Sequence, residues 1–221
     1  MKDKTKKLLQ TLFVLLIYFI FILKFSSTKL TITNFLSYLI FLTIILIIYY
    51  KDLKKYYLDL KKDKNKVVTI LLYFVVFFLL STVLRNIILN IIEKSTSIKF
   101  NVDTSNKTIF SLFKIFPKGT LFVIFFTCIF TPLVEELVFR KSIRDVIKNN
   151  VIFVIVSSLL SWYFQVSLLN PSIPEFVLAI STLLNSLFAS IIFVRKDNIL
   201  YSIFPRMLYN IVICLIQFLP M

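Results

Sequence analysis

Long apolar runs separated by short polar segments dominate this chain. A helix that spans a bilayer needs about 20 mostly apolar residues, and about seven runs approach or exceed that length. They lie at 8–23, 30–50, 67–92, 119–140, 151–169, 175–194 and 199–219. The pattern predicts an all-α fold, a polytopic membrane helical bundle of about seven transmembrane helices.

Basic residues are concentrated in every second polar segment. Lysines and arginines crowd the N-terminus and the segments 51–66, 140–148 and 195–196, whereas the loops at 24–29 and 170–174 are poorer in charge. Because cytoplasmic loops of membrane proteins are enriched in Lys and Arg, we expect the N-terminus inside and the C-terminus outside. The longer outer segment 93–118 also holds lysines, but long loops count less. Within it, 109–119 is predicted to be a short interfacial helix.

Composition supports the membrane assignment and narrows the partners. Hydrophobic residues make up 58% of the 221 residues, and mean hydropathy is +0.89, which excludes an ordinary soluble domain. The net charge of +15 is explained by topology, and no basic–aromatic groove pattern outside the spans supports nucleic-acid binding. The expected partner is the lipid bilayer. Heavy use of Lys, Ile, Asn and Phe suggests a bacterial cell membrane. Cys128 and Cys214 are expected to be small buried hydrophobes rather than a disulfide.

Two acids interrupt the fourth apolar run. The stretch "TPLVEELVFRKS" places Glu135 and Glu136 beside each other and Arg140 four residues after the second. Glu136 and Arg140 therefore share a helix face and can pair. Glu135 is rotated by about 100° and should point toward a neighbouring helix. Ionisable groups at membrane depth cost about 3 kcal/mol each, so they usually face a cavity or a partner. The alternative is a juxtamembrane acidic pair balanced by Arg140 and Lys141.

The same stretch resembles the first motif of the CPBP family of intramembrane proteases. That motif is E-E-x-x-x-R after a proline, with an aromatic residue before the arginine, and all of these features are present. The family includes CAAX prenyl endopeptidases and several bacteriocin-immunity proteins. Its core is four consecutive helices with this motif on the first. The resemblance covers roughly the C-terminal half and implies a CPBP-like four-helix core at 109–221. The apolar and basic patterns predict N-terminal transmembrane helices with a lysine-rich cytoplasmic loop at 1–108, and this part carries no motif of the family.

The two later motifs of the family are only partly present. F-x-x-x-H aligns with the fifth apolar run, where Ser161 and Gln165 occupy its two fixed positions. H-x-x-x-[N/D] aligns with the last run, where Arg206 replaces the histidine and Asn210 keeps the final position. The sequence contains no histidine at all. The resemblance thus implies a catalytic set of Glu135, Glu136, Arg140 and Asn210, with Gln165 and Arg206 at substituted positions.

These substitutions weaken each chemistry that the family suggests. An active member would use the glutamate and histidines to activate water, with a divalent metal such as zinc or as a glutamate-type protease. Gln165 offers zinc only a weak amide oxygen, and Arg206 is never deprotonated and cannot be a ligand. Glu135, Glu136 and Asn210 could bind magnesium through oxygen, but a nearby Arg206 would compete with that ion.

Arg206 is predicted to be a replacement counter-ion. Helix rise places Glu135 about 20 Å and Arg206 about 12 Å below the inner surface, a gap that long side chains can bridge. A cation there stabilises the ionised carboxylate and makes it a poorer general base. We therefore expect a buried ion pair between Glu135 and Arg206. The alternative is that Arg206 reaches the inner interface from the start of the last helix.

Three functions remain open from the sequence. The first is an active intramembrane endopeptidase with altered ligands, acting on a membrane-embedded peptide or protein. The second is a non-catalytic membrane binding protein, such as a bacteriocin self-immunity or regulatory factor, with no cofactor. The third is a small transporter component whose charges line a path. The motif argues against the third and the missing histidines against the first, so we expect a catalytically impaired family homologue.

Overall fold

The computed structural model describes residues 2–25, 32–96, 124–165 and 173–218, and these residues form seven helices without a strand. The helices are α1 (Lys2–Phe25), α2 (Ile32–Lys62), α3 (66–96), α4 (124–146), α5 (Asn150–Gln165), α6 (Ile173–Lys196) and α7 (Leu200–Phe218). The predicted all-α bundle is confirmed. The interfacial helix expected at 109–119 and the boundary between residues 108 and 109 lie outside the described residues.

The outer surface of the bundle is apolar. Two segments, Leu36–Lys62 and Lys66–Ser95, are long and apolar enough to cross a membrane, with hydropathies of 1.8 and 2.7. Their outward side chains include Ile47 and Val68, which are 71% and 69% exposed. Large apolar side chains exposed in this way suit a lipid environment rather than water. The fold is therefore that of a helical membrane bundle.

α2 extends further than the sequence suggested. The segment 51–66 was expected to be a loop, but the helix continues to Lys62 and only residues 63–65 turn. Leu60 is buried on the inner face of this extension, while Lys61 and Lys62 lie in its last turn. Cations in the last turn of a helix interact favourably with its dipole, which supports helix in a lysine-rich stretch.

α4 lies at the centre of the bundle. Every residue from 134 to 143 is buried, and α1, α5 and α7 all pack against this helix. Aromatic rings of α1 and α2 pack against it. The ring of Tyr18 lies edge-on to that of Phe139, with 5.0 Å between the ring centres, and the ring of Tyr38 lies edge-on to that of Phe130 at 5.2 Å. A helix buried on all sides cannot place its charged residues in water, so their partners must come from the bundle.

α4 also departs from regular helical geometry. Two stretches, Phe126–Phe130 and Leu137–Lys141, are π-helical and flank the six residues that contain Pro132 and the two glutamates. A proline inside an α-helix lacks an N–H and clashes with the preceding turn. The wider turn before Pro132 relieves that clash, and Thr131 donates both its N–H and its hydroxyl to the Phe126 carbonyl.

The basic segments meet at one end of the bundle. Thr11 of α1 donates to the Ser142 carbonyl at 2.8 Å. Lys141 bridges Asp145 at 2.7 Å and Asp52 of α2 at 3.0 Å. The Asn198 side chain, between α6 and α7, donates to a carbonyl of α2 at 2.8 Å. The alternation of basic segments along the sequence therefore corresponds to one charged end of the folded chain.

α5 and α6 pack through small polar side chains. Five buried serines line their contact: Ser157, Ser158, Ser161, Ser186 and Ser190. The hydroxyl of Ser190 lies 2.8 Å from that of Ser157 and 3.1 Å from that of Ser158. Small residues let two membrane helices approach closely, and hydrogen bonds between them add to the packing.

We expect Ser190→Leu to lower the free energy of unfolding by about 1–3 kcal/mol, because the larger side chain overpacks this close contact. Chemical denaturation in detergent micelles measures the change. The same substitution at the exposed Ser95 of α3 is the matched control and should stay within about 0.5 kcal/mol. Equal effects of the two variants would contradict close packing at Ser190.

The turn between α2 and α3 is tied to the start of α7. The Tyr201 hydroxyl donates to Oδ2 of Asp63, and the Asn65 N–H donates to Oδ1 at 2.8 Å. Lys196 lies 4.8 Å from the centre of the Tyr201 ring. The hydrogen bond from Tyr201, followed by that from Asn65, lowers the pKa of the Asp63 carboxyl below its usual range. Ionised Asp63 therefore helps to hold this end together.

A lowered carboxyl pKa gives a stabilisation that is complete above the ordinary value near 3.9 and is lost as pH falls through the lowered one. We expect Tyr201→Phe to destabilise the protein at pH 7. The difference in stability between this variant and the wild type should disappear in acid. Thermal unfolding in detergent across this pH range measures it. Tyr57→Phe on the exposed face of α2 serves as control. A gap that persists unchanged to about pH 2 would count against this role of ionised Asp63.

Candidate functional site

Two glutamates of α4 share one arginine of α7. The guanidinium of Arg206 donates through Nη2 to Oε2 of Glu135 and through Nη1 to Oε1 of Glu136 at 3.1 Å. The Ser202 hydroxyl, one turn before Arg206, donates to Oε2 of Glu136 at 2.8 Å. The predicted pair between Glu135 and Arg206 is confirmed. The second pair, with Glu136, was not predicted.

The planar fork of the guanidinium explains this double contact. Glu135 and Glu136 leave the helix about 100° apart, so one side chain with a single donor could not reach both. Arginine presents several N–H donors in a fixed fork, and two of them diverge toward the two carboxylates. The alternative in which Arg206 reaches for the interface is excluded, because its guanidinium faces the acids and its side chain is only 19% exposed.

Arg140 connects the acid pair to α5 and α6. Its Nη1 lies 3.6 Å from Oε1 of Glu136, as the spacing of four residues predicts. The same nitrogen donates to the Ser161 hydroxyl at 3.0 Å, and Nη2 donates to the hydroxyl and the carbonyl of Ser186 at 2.7 and 3.2 Å. The Arg140 side chain is fully buried. One guanidinium thus holds three helices together.

Formal charge is balanced inside this cluster. Two carboxylates meet two guanidiniums, and Glu136 and Arg140 are fully buried. Removing a charge from water costs several kcal/mol unless a partner and further hydrogen bonds compensate. Ser161, Ser186 and Ser202 supply such hydrogen bonds, and sequence reasoning missed the last two. Their signal is a small polar residue spaced four residues from another polar position, as Ser202 is from Arg206.

Asn210 lies one turn beyond Arg206 and has a different contact. Its amide donates to the Thr127 carbonyl of α4 at 2.7 Å. Along the helix, that carbonyl would accept from Thr131 or, in a π-helical turn, from Pro132. The Thr131 N–H goes to Phe126 instead, and proline has no N–H. Asn210 therefore supplies a hydrogen bond that the proline removes, which is a structural role on the α4–α7 contact.

Gln165 is the last residue of α5, and its side chain lies outside the described residues. Ser161, at the phenylalanine position of the same motif, accepts a hydrogen bond from Arg140. A phenylalanine could not accept that bond, so Ser161 and Arg140 fit each other. Of the six candidate positions, the structure brings together Glu135, Glu136, Arg140 and Arg206.

The donors of this cluster do not suit zinc or magnesium. Among the described residues, no group of three His, Cys, Asp or Glu side chains is placed to hold a metal ion. The carboxylate oxygens of Glu135 and Glu136 receive hydrogen bonds from Arg206 and Ser202. Two guanidiniums this close would repel a divalent cation. The residues therefore do not fit a catalytic metal, and no step through a metal follows from them.

We expect Arg206→Gln to lower the free energy of unfolding by about 3 kcal/mol, because it removes the cation that the structure pairs with Glu135 and Glu136. Adding Glu135→Gln should recover about 1 kcal/mol or more, since the two effects are coupled. Denaturant unfolding in micelles measures both. Arg195→Gln at the exposed end of α6 is the matched control. If Arg206→Gln leaves stability unchanged, the ion pair is not structural.

Comparison with known proteins agrees with the motif. Residues 117–212 match the family described as type II CAAX prenyl endopeptidase Rce1-like. The matched range is a little under half of the chain and contains Glu135, Glu136, Arg140, Arg206 and Asn210. No curated protein and no solved structure matches the chain. Residues 117–212 are therefore similar to Rce1-like endopeptidases, in agreement with the resemblance carried by the E-E-x-x-x-R motif.

Proposed function

We propose that this protein is a CAAX protease-like membrane homologue in which Arg206 occupies the acid pair and peptide cleavage is impaired. One observation carries the proposal: the Arg206 guanidinium donates to both Glu135 and Glu136. Arginine stands where the third family motif has histidine, so the residue that replaces the histidine is also the one that binds the two acids. The motif that identifies the family is retained while its acids are bound by a fixed cation.

The contact opposes the chemistry of a general base. A glutamate that activates water needs a free carboxylate oxygen and a proton affinity suited to neutral pH. Arg206 takes up an oxygen of each acid, which leaves fewer carboxylate oxygens free to accept a proton from water. A histidine at that position could exist as the neutral base and exchange a proton, whereas a guanidinium stays protonated. Water activation at Glu135 or Glu136 would require the arginine to move away first.

The same geometry suits a binding role. With its charges neutralised, the α4–α7 contact is a stable core that can present a surface without turnover. We therefore favour a non-catalytic membrane binding protein, such as a bacteriocin self-immunity or regulatory factor, whose partner is a membrane-embedded peptide or protein. The competing function is an active intramembrane endopeptidase, which the family match itself favours. It requires Arg206 to leave the acids during turnover.

We also propose a multi-pass arrangement in a bacterial cell membrane, with the basic end in the cytoplasm. Four basic segments meet at that end, and cytoplasmic loops are enriched in Lys and Arg. α1 starts there, and α7 starts there and ends on the opposite side at Phe218. In this proposed arrangement the N-terminus is in the cytoplasm, the end of α7 is outside and the acid cluster lies within the bilayer.

Cleavage of a fluorogenic prenylated CAAX peptide by the protein in nanodiscs tests the proposal. We expect the wild type to show no cleavage above Glu135→Ala, because Arg206 holds the acid pair. The Gln165→His/Arg206→His variant restores the histidines of the family pattern and checks that the probe can enter the site. A wild-type rate that falls about 100-fold or more on Glu135→Ala, as loss of an essential base predicts, would refute impaired catalysis.

A further inference from the structure

The two cysteines of the sequence lie side by side in the bundle. Sγ of Cys128 on α4 is 3.5 Å from Sγ of Cys214 on α7, although 86 residues separate them in the chain. Both are free thiols, 1% and 3% exposed. The sequence suggested two unrelated buried hydrophobes. In the structure both cysteines are buried, as expected, but they also contact each other.

Hydrogen bonds of Thr127 help to hold the two thiols beside each other. The Thr127 hydroxyl lies 3.7 Å from the Cys128 sulfur and 3.5 Å from the Cys214 sulfur. The carbonyl of the same threonine accepts from Asn210, one turn before Cys214. A disulfide has a sulfur–sulfur distance of about 2.0 Å. The two sulfurs must therefore approach by about 1.5 Å for a bond to form.

The thiol pair lies in the half of the bundle away from the basic end. Cys214 is about 21 Å along α7 from Leu200, and Cys128 is about 27 Å along α4 from residue 146, at 1.5 Å per residue. In the orientation proposed above, this is the outer half, away from cytosolic thiol reductants. Ile129 and Leu215, the next residues on each helix, are exposed on the bundle surface. A lipid-soluble oxidant therefore has a short path to the sulfurs.

The two thiols are less suited to binding a metal ion than to forming a disulfide with each other. Structural zinc takes four ligands, usually Cys and His. Within the described part of the chain no third His, Cys, Asp or Glu joins these two thiols. The Thr127 hydroxyl beside both sulfurs is a poor ligand for soft metals. Two thiols in contact without further ligands favour oxidation to a disulfide.

We propose that Cys128 and Cys214 are a redox modification site at which a small disulfide compound forms a reversible bond between α4 and α7. One cysteine thiolate attacks a sulfur of the oxidant, whose S–S bond breaks and releases one thiol. The second thiolate attacks the resulting mixed disulfide and releases the second thiol. The protein loses two protons and two electrons, and the oxidant gains them as two thiols.

The bond would join the two helices that carry the acid cluster. Cys128 precedes Glu135 by about two turns, and Cys214 follows Arg206 by about two turns. A cross-link at this level limits how far α7 can separate from α4, and so how far Arg206 can withdraw from the glutamates. This consequence rests on the proposed role of Arg206, whereas formation of the bond does not.

Treatment of the full-length protein in liposomes with 4,4′-dithiodipyridine tests the bond. We expect release of two equivalents of thiopyridone, an intact mass lower by two hydrogen atoms, and no thiol reactive to maleimide after denaturation. Dithiothreitol should restore both thiols. Cys128→Ser and Cys214→Ser are the controls, and each should release one equivalent and keep one pyridyl adduct until reduced.

Three results would overturn the proposal: two thiols that stay reactive to maleimide, two pyridyl adducts on one chain, or a disulfide between two chains on a non-reducing gel. Thermal unfolding provides a second readout. Oxidation should raise the Tm of the wild type by about 5 °C or more, since an 86-residue loop is closed, and should not raise that of Cys128→Ser. An unchanged Tm in the oxidised wild type would refute a link between the helices.

Discussion

The guanidinium of Arg206, divided between two carboxylates, is the interaction on which the centre of this bundle depends. α4 is buried over ten consecutive residues, so its two glutamates are largely removed from water and require partners within the protein. Arg206 does this from α7 and Arg140 does it from α4 itself. The serines around them supply further hydrogen bonds. The positions of α5, α6 and α7 around α4 follow from this requirement.

The residues of the E-E-x-x-x-R motif carry the family resemblance and also have a structural role. The E-E-x-x-x-R motif and the match over residues 117–212 identify the family region, and Arg140 shows why its arginine is useful apart from any reaction: it binds one acid and two neighbouring helices. The motif residues therefore have a structural role that does not depend on the histidines of the other family motifs. Arg206, at one of those positions, contacts both acids while they stay buried.

The sequence predicted the helices and the pairing of Glu135 with Arg206, because periodic hydrophobicity, helix rise and charge are local properties. It did not predict that Arg206 also reaches Glu136, since this depends on how α7 is turned toward α4. Ser186 and Ser202, which bind Arg140 and Glu136, were not recognised among the apolar residues for the same reason. The continuation of α2 to Lys62 was missed because a lysine-rich stretch reads as a loop until its packing against the bundle is seen.

Pro132 has an effect that extends well beyond its own turn. It cannot donate a backbone hydrogen bond, and the Thr127 carbonyl accepts one from Asn210, 83 residues away in the sequence. The register of α7 against α4 is therefore coupled to a missing amide proton. A shift of α7 by one residue would move Asn210 away from that carbonyl and Arg206 away from the acids in the same step. Pro132 is thus linked, through Thr127 and Asn210, to the axial position of the arginine that contacts both glutamates.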